Sequence, residues 1–185
     1  MLSSTQLGAC RPAVQIETDM PLADFSGNVT KRMYGGGTSE EYLRELKVEQ
    51  QGYKVATKNF PSERKQGMGI KWEGLYDHTT SGVERSMNDS LKALGTKKVD
   101  LYYLHAPDRE TPFKETVAAL KKEYEQGKFE RWGLSNYKAS EVEEIVKLCE
   151  EQDFIKPAVY QGIYNAICRS AEPELLPVLR KHNIS

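Results

Sequence analysis

The chain has 185 residues, of which 26 are Lys or Arg and 27 are Asp or Glu, giving a formal net charge of −1. Charged residues make up 29% of it and apolar residues 38%, the profile of one globular domain. The balance lacks the basic footprint of a nucleic-acid binder, and no stretch approaches the ~18 consecutive apolar residues of a membrane span.

In chain order, residues 1–30 mix Pro, Ser, Asp and Gly without a period, which predicts an irregular segment. Arg11, Glu17 and Asp19 stand where a secretory signal would be apolar. The run Gly35-Gly36-Gly37 allows a tight turn, and Thr38 with Glu41 suits the start of a helix. Tyr53–Thr57 is a short β-prone run. Ser81 with Glu84 reads as a capping box, followed by Val83, Met87, Leu91 and Leu94 on one helical stripe. Val99–Leu104 is a stronger strand. Thr111-Pro112 predicts an N-cap followed by proline at the first helical position, with Phe113, Val117, Leu120 and Tyr124 sharing a face. A strand over Phe129–Ser135 follows. Ser140 with Glu143 then reads as another capping box, ahead of Val142, Ile145, Val146 and Cys149 at helical spacing. Pro157–Gln161 predicts a fourth strand and Glu172–His182 a last helix.

Strand starts near 99, 129 and 158 are about 30 residues apart, the size of a βα unit. Repeated units of this kind imply an α/β fold with a parallel sheet and outer helices, either doubly wound or a (β/α)8 barrel. A closed barrel typically needs ~250 residues, so a barrel reading is an incomplete one. Open sheet edges would then offer a route to self-association. Cys10, Cys149 and Cys168 lack the paired spacing of disulfides or a zinc site, and no metal ligand set stands out. The composition fits a reducing, cytoplasmic setting.

Active sites of parallel α/β folds gather at the C-terminal ends of strands. Three residue types suited to one chemistry fall near such ends: Tyr34, Lys58 and His105. A phenol is a weak acid at neutral pH, and a nearby ammonium lowers its pKa. Tyr34 beside Lys58 suits protonation of a carbonyl oxygen as it receives hydride, with His105 orienting that carbonyl.

The sequence resembles the aldo-keto reductase superfamily, in particular the branch that includes aflatoxin B1 aldehyde reductases. The resemblance runs from about Lys31 to Ser185, on five ordered stretches: Arg32–Glu41, Ala56–Lys58, Val99–Asp108, Gly133–Tyr137 and Val159–Asn165. It implies residues 31–185 as a partial (β/α)8 TIM barrel, about strands 3 to 6 with their helices, after an irregular segment at 1–30. It also implies NADPH-dependent reduction of small aldehydes or ketones. By motif, Tyr34 matches the proton donor, Lys58 the residue that lowers its pKa and His105 the substrate-orienting histidine. Ser135, Asn136 and Gln161 match the contacts to the nicotinamide carboxamide, and Met33 and Tyr164 are candidates for the pocket wall.

The sequence departs from the family at one catalytic position, because Val29 stands five residues before Tyr34, where an aspartate is usual. Loops after strands 7 and 8, which hold the phosphates in such barrels, fall past Ser185. Each missing charge-assisted hydrogen bond would remove roughly 1.5–3 kcal/mol from NADPH binding. A second reading therefore keeps the fold and drops the chemistry: an inactive fragment, or a binding or regulatory module of the same architecture.

Overall fold

A computed structural model of the chain describes residues 27–30, 38–62 and 76–185. Tyr34, Met33, the turn at Gly35–Gly37, Trp72 and most of the segment 1–30 lie outside the described residues.

The core is a five-stranded sheet in the order β1-β2-β3-β4-β5, with every neighbouring pair parallel. Its strands are β1 (Gly27–Val29), β2 (Lys54–Asn59), β3 (Val99–Leu104), β4 (Phe129–Ser135) and β5 (Val159–Gln161). Helices α1 (Ser39–Glu45), α2 (Thr80–Leu94), α3 (Phe113–Glu125), α4 (Ala139–Glu151) and α5 (Leu175–His182) complete the fold, with a 3-10 turn at Val48–Gln51. β3 and β4 have the bounds the sequence predicts: β3 carries five large apolar residues around Asp100 and is followed by His105, and β4 carries Phe129, Trp132 and Leu134 and ends in Ser135. β1 falls inside the stretch predicted to be irregular. Three residues are too few to carry a period, and β1 is defined by its pairing with Lys54–Ala56 of β2.

Along β3 the side chains alternate between two faces, as a strand requires. Tyr102 and Leu104 join the large cluster beneath the helices, with Trp132, Leu120 and Ile145. Leu101 and Tyr103 face the other way, into a small cluster with Ala56 and Val159. The helices therefore cover one face of the sheet and leave the other to itself. Trp132, which carries no predicted role, is fully buried on the helix side. Its indole N–H donates to the Ile155 carbonyl at 2.9 Å, and the ring stacks on Phe154. Cys149 is buried in the same cluster, where desolvation pushes its thiol up to about 12.

The second face is concave. Lys58 of β2 and Gln161 of β5 are separated by three inter-strand steps, roughly 14 Å in a flat sheet at ~4.8 Å per step. Their side chains nevertheless hydrogen-bond to each other, so the sheet curls around the line joining them. An arc of parallel strands with helices outside and a curled inner face is the wall of a (β/α)8 barrel. At its outer edge, β5 exchanges two hydrogen bonds with Ser185: Tyr160 N–H to the Ser185 carbonyl at 2.6 Å, and Ser185 N–H to the Ala158 carbonyl at 3.0 Å.

The helix starts differ in detail from those predicted. α2 begins two residues early, with Thr79 as its N-cap, and the Thr79 hydroxyl accepts from Gly82 N–H at 3.1 Å. Gly95, at φ +72, ends this helix in the left-handed region that suits glycine. α3 is capped by Pro112, not Thr111, whose hydroxyl instead donates to Asp108 at 2.7 Å. In α4 the Glu141 carboxylate accepts from Lys138 N–H at 2.8 Å, while Glu143 is committed to Lys181 and His182 of α5. In α2 and α4 two polar residues of equal capping ability lie two positions apart, and the hydrogen bonds formed distinguish them.

A pair of substitutions separates the two candidate caps of α2. Thr79→Ala should lower stability by about 1 kcal/mol, whereas Ser81→Ala should change it by no more than a few tenths; thermal melts of the two variants decide between them.

Candidate active site at the C-terminal ends of the strands

The site follows from the register. Lys58 pairs with Tyr103, Tyr103 with Gly133 and Gly133 with Val159, so these residues form one layer across the concave face. His105 follows directly after β3, and Ser135 and Gln161 close β4 and β5, one layer further toward the C-terminal ends. The predicted residues Lys58, His105, Ser135, Asn136 and Gln161 thus come from four consecutive strand ends and gather at one rim. Tyr34 is outside the described residues.

Lys58 is only 4% exposed, so its ammonium has to exchange water for protein partners. Its Nζ donates to Gln161 Oε1 and lies 5.4 Å from the centroid of the Tyr103 ring. Asn136 stands at φ +64, a left-handed conformation that asparagine tolerates better than most residues. This turn sends its Nδ2 back to donate to the His105 carbonyl at 2.8 Å and to Ser135 Oγ at 3.0 Å. The backbone of His105 is fixed from the other side too, where its N–H donates to the Asn59 carbonyl at 2.8 Å. Its ring meets Phe60 edge-on, with centroids 5.5 Å apart. The strand ends are therefore laced together by the same residues that face the rim.

Asp108, at the end of the His105-Ala106-Pro107-Asp108 run, has a different role. Its carboxylate accepts from His78 N–H at 3.1 Å, Glu110 N–H at 3.1 Å and the Thr111 hydroxyl at 2.7 Å. Burial by itself raises its pKa, but these hydrogen bonds from Thr111, His78 and Glu110 outweigh it and hold the carboxyl below the usual range. Asp108 thus shapes the loop that follows His105. Tyr164 does not line the rim. It packs against the helix-side cluster, and its hydroxyl donates to Glu172 at 2.6 Å.

Sequence reasoning passed over the lower part of the concave face. Arg131 of β4 pairs with Asp100 of β3 at 2.5 Å, and Lys54 of β2 adds a contact to the same carboxylate at 3.4 Å. Counting back by twos from His105 would have placed Tyr103 on this face. No such count finds Asp100, which shares the parity of the helix-facing Tyr102 and Leu104. Among the described residues, no group of three or more His, Cys, Asp or Glu could hold a metal ion. No described helix is long and apolar enough to cross a membrane.

This arrangement can be compared with known proteins. The model of the aldo/keto reductase family matches residues 28–185. The chain belongs to that family. An aldo-keto reductase of Pseudocercospora fijiensis is 41% identical over 156 residues, covering 84% of this chain and 50% of the relative. Aflatoxin B1 aldehyde reductase member 2 of Homo sapiens is 43% identical over 155 residues, 82% of this chain and 40% of its own length. Among solved structures, a thermostable aldo-keto reductase in complex with the inhibitor epalrestat superposes with a TM-score of 0.70 at 26% identity, covering 85% of this chain and 52% of that one. The chain therefore spans about half the length of the curated relatives it matches, and its fold is part of the aldo/keto reductase barrel. The family match reaches back to Asn28, which takes in two of the three residues of β1.

The loop role of Asp108 in this family member is testable. Asp108→Ala leaves three donors without their acceptor and should cost about 2–3 kcal/mol in chemical denaturation at neutral pH. A carboxyl depressed on folding contributes stability that is present above its unfolded value of ~3.9 and lost as pH falls through the folded value. The gap between wild type and Asp108→Ala should accordingly narrow in acid.

Proposed function

We propose that this chain carries the reductase half-site of an NADPH-dependent aldo-keto reductase, acting on small aldehydes or ketones with Tyr34 as proton donor. The observation that supports this most directly is the meeting of Lys58 and Gln161 across the concave face, next to His105, Ser135 and Asn136. That one cluster would put an ammonium, an imidazole and three amide-binding groups within reach of the same carbonyl and carboxamide.

The hydrogen-bonding capacity left over suits a carboxamide, which has one acceptor oxygen and two donor hydrogens. Gln161 spends its carbonyl oxygen on Lys58, so its Nε2 hydrogens face outward as donors for the carboxamide oxygen. Asn136 spends Nδ2 on His105 and Ser135, which leaves Oδ1 to accept from the carboxamide NH2. Ser135 Oγ accepts from Asn136 and retains its own hydroxyl hydrogen. When bound, NADPH supplies the hydride. The remaining work falls to side chains of this chain. His105 donates to the substrate carbonyl oxygen and fixes its direction. Tyr34 passes its phenolic proton to the same oxygen as negative charge develops there, and the Lys58 ammonium stabilises the phenolate left behind.

An NADPH titration of the 185-residue chain, followed by quenching of intrinsic fluorescence, tests the cofactor assignment. Saturable binding that weakens about tenfold or more in Gln161→Ala is the expected result; a flat titration overturns it. Tyr34→Phe should keep NADPH binding while lowering aldehyde turnover by about 10²–10⁴-fold, read as NADPH oxidation under single-turnover conditions.

A further inference from the structure

We infer that Tyr103 is a positioning residue for Lys58, its ring forming an aromatic shelf that holds the ammonium in line with Gln161, and that Gly133 is the position that makes room for this shelf. The inference rests on the reductase reading given above, and deepens it by adding a residue to the site.

The geometry comes from three strands. Lys58 and Tyr103 are register partners on β2 and β3, so their side chains leave the sheet side by side on the concave face. Tyr103 in turn pairs with Gly133 of β4. A Cβ at position 133 would lie 2.6 Å from the Val159 carbonyl oxygen and 2.8 and 2.9 Å from Tyr103 Cε1 and Cδ1, closer than real side chains approach, so the glycine admits both the β5 backbone and the ring. The ring therefore lies over β4, between the strand that carries Lys58 and the strand that carries Gln161. Lys58 Nζ lies 5.4 Å from the ring centroid, within the ~6 Å range in which a ring face attracts a cation.

The chemistry of Tyr103 makes the ring, and not the hydroxyl, the active part. Tyr103 is 5% exposed, and burial pushes its phenol up to about 12. It stays neutral at physiological pH and offers an unperturbed π face. A flexible lysine loses considerable rotamer freedom when it is pinned in one direction. The shelf and the Gln161 carbonyl fix that direction from two sides, which is what a group that must stabilise a phenolate at one place requires.

The test uses the complete 185-residue chain labelled with 13C,15N-lysine, in which Lys58→Met assigns the Lys58 Hε–Cε correlation. A ring face next to this methylene displaces its resonance upfield of the other lysines. The expected pattern is an upfield Lys58 signal in wild type, retained in Tyr103→Phe and returned to the ordinary lysine position in Tyr103→Leu. A ring that merely neighbours Lys58 would lose the upfield shift in Tyr103→Leu as well, so the NOE between Lys58 Hε and the Gln161 side chain is read alongside: it is lost in Tyr103→Leu if the ring positions the ammonium, and its persistence there overturns the proposal. An ordinary Lys58 signal in wild type, an upfield signal that survives in Tyr103→Leu, or loss of the signal in Tyr103→Phe overturns the proposal. If Tyr103→Leu does not fold, as its amide spectrum would reveal, Tyr103→Met takes its place with the same two readouts. The reductase reading stands or falls separately. A chain with the upfield Lys58 signal but no NADPH binding keeps the shelf and loses the reductase, whereas NADPH binding with an ordinary Lys58 signal does the reverse.

Discussion

The burial of one ammonium organises this molecule. Lys58 sits at the end of a strand in a nearly dry position, and a charge there is tolerated only when other groups replace its water. Gln161, 103 positions later in the chain, supplies one of those groups. The contact requires the sheet to curl, and a curled sheet requires helices on its convex side alone. The apolar clusters divide accordingly, with the large one beneath the helices and a small one of Ala56, Leu101, Tyr103 and Val159 inside. Curvature, layering and site geometry are thus one constraint seen at three scales.

The concave face is graded along the strands. Near their beginnings Arg131 and Lys54 reach the carboxylate of Asp100 at the strand end; Tyr103 occupies the middle, and His105, Asn136 and the amide of Gln161 stand at the rim. A shielded ion pair of this sort adds little net stability, although removal of one partner leaves an uncompensated charge. At the rim the lacing of Asn136 to His105 and Ser135 uses side chains to join strand ends that the ladder itself no longer joins.

Several features were legible from sequence for local reasons. Val99–Leu104 reads as a strand because Val, Leu and Tyr dominate it, and Phe129–Ser135 because Phe, Trp and Leu recur ahead of a polar end; both have the bounds predicted. The helical stripes at Val83–Leu94 and Val142–Cys149 were legible because amphipathic spacing survives small errors at the ends. The caps were not. Thr79 and Ser81 are chemically equivalent as caps of α2, as are Glu141 and Glu143 as acidic residues in the first turns of α4, and only the packed position of each helix breaks the tie. β1 was missed because three residues have no period of their own and are defined by the partner strand.

By itself, then, the sequence determined the alternation of strands and helices and the order of the motifs from Arg32 to Asn165, which is sufficient for family membership because both are properties of local chain. It also placed Lys58 and His105 at the polar ends of apolar runs, while Ser135, Asn136 and Gln161 came from the family motifs. Only the tertiary structure decided which of them touch. Lys58 meets Gln161 because three intervening strand pairings bend the sheet. Tyr103 lies over β4 because Gly133 opposite it has no side chain. Such contacts depend on register and curvature summed over distant strands, and no window of sequence contains both partners.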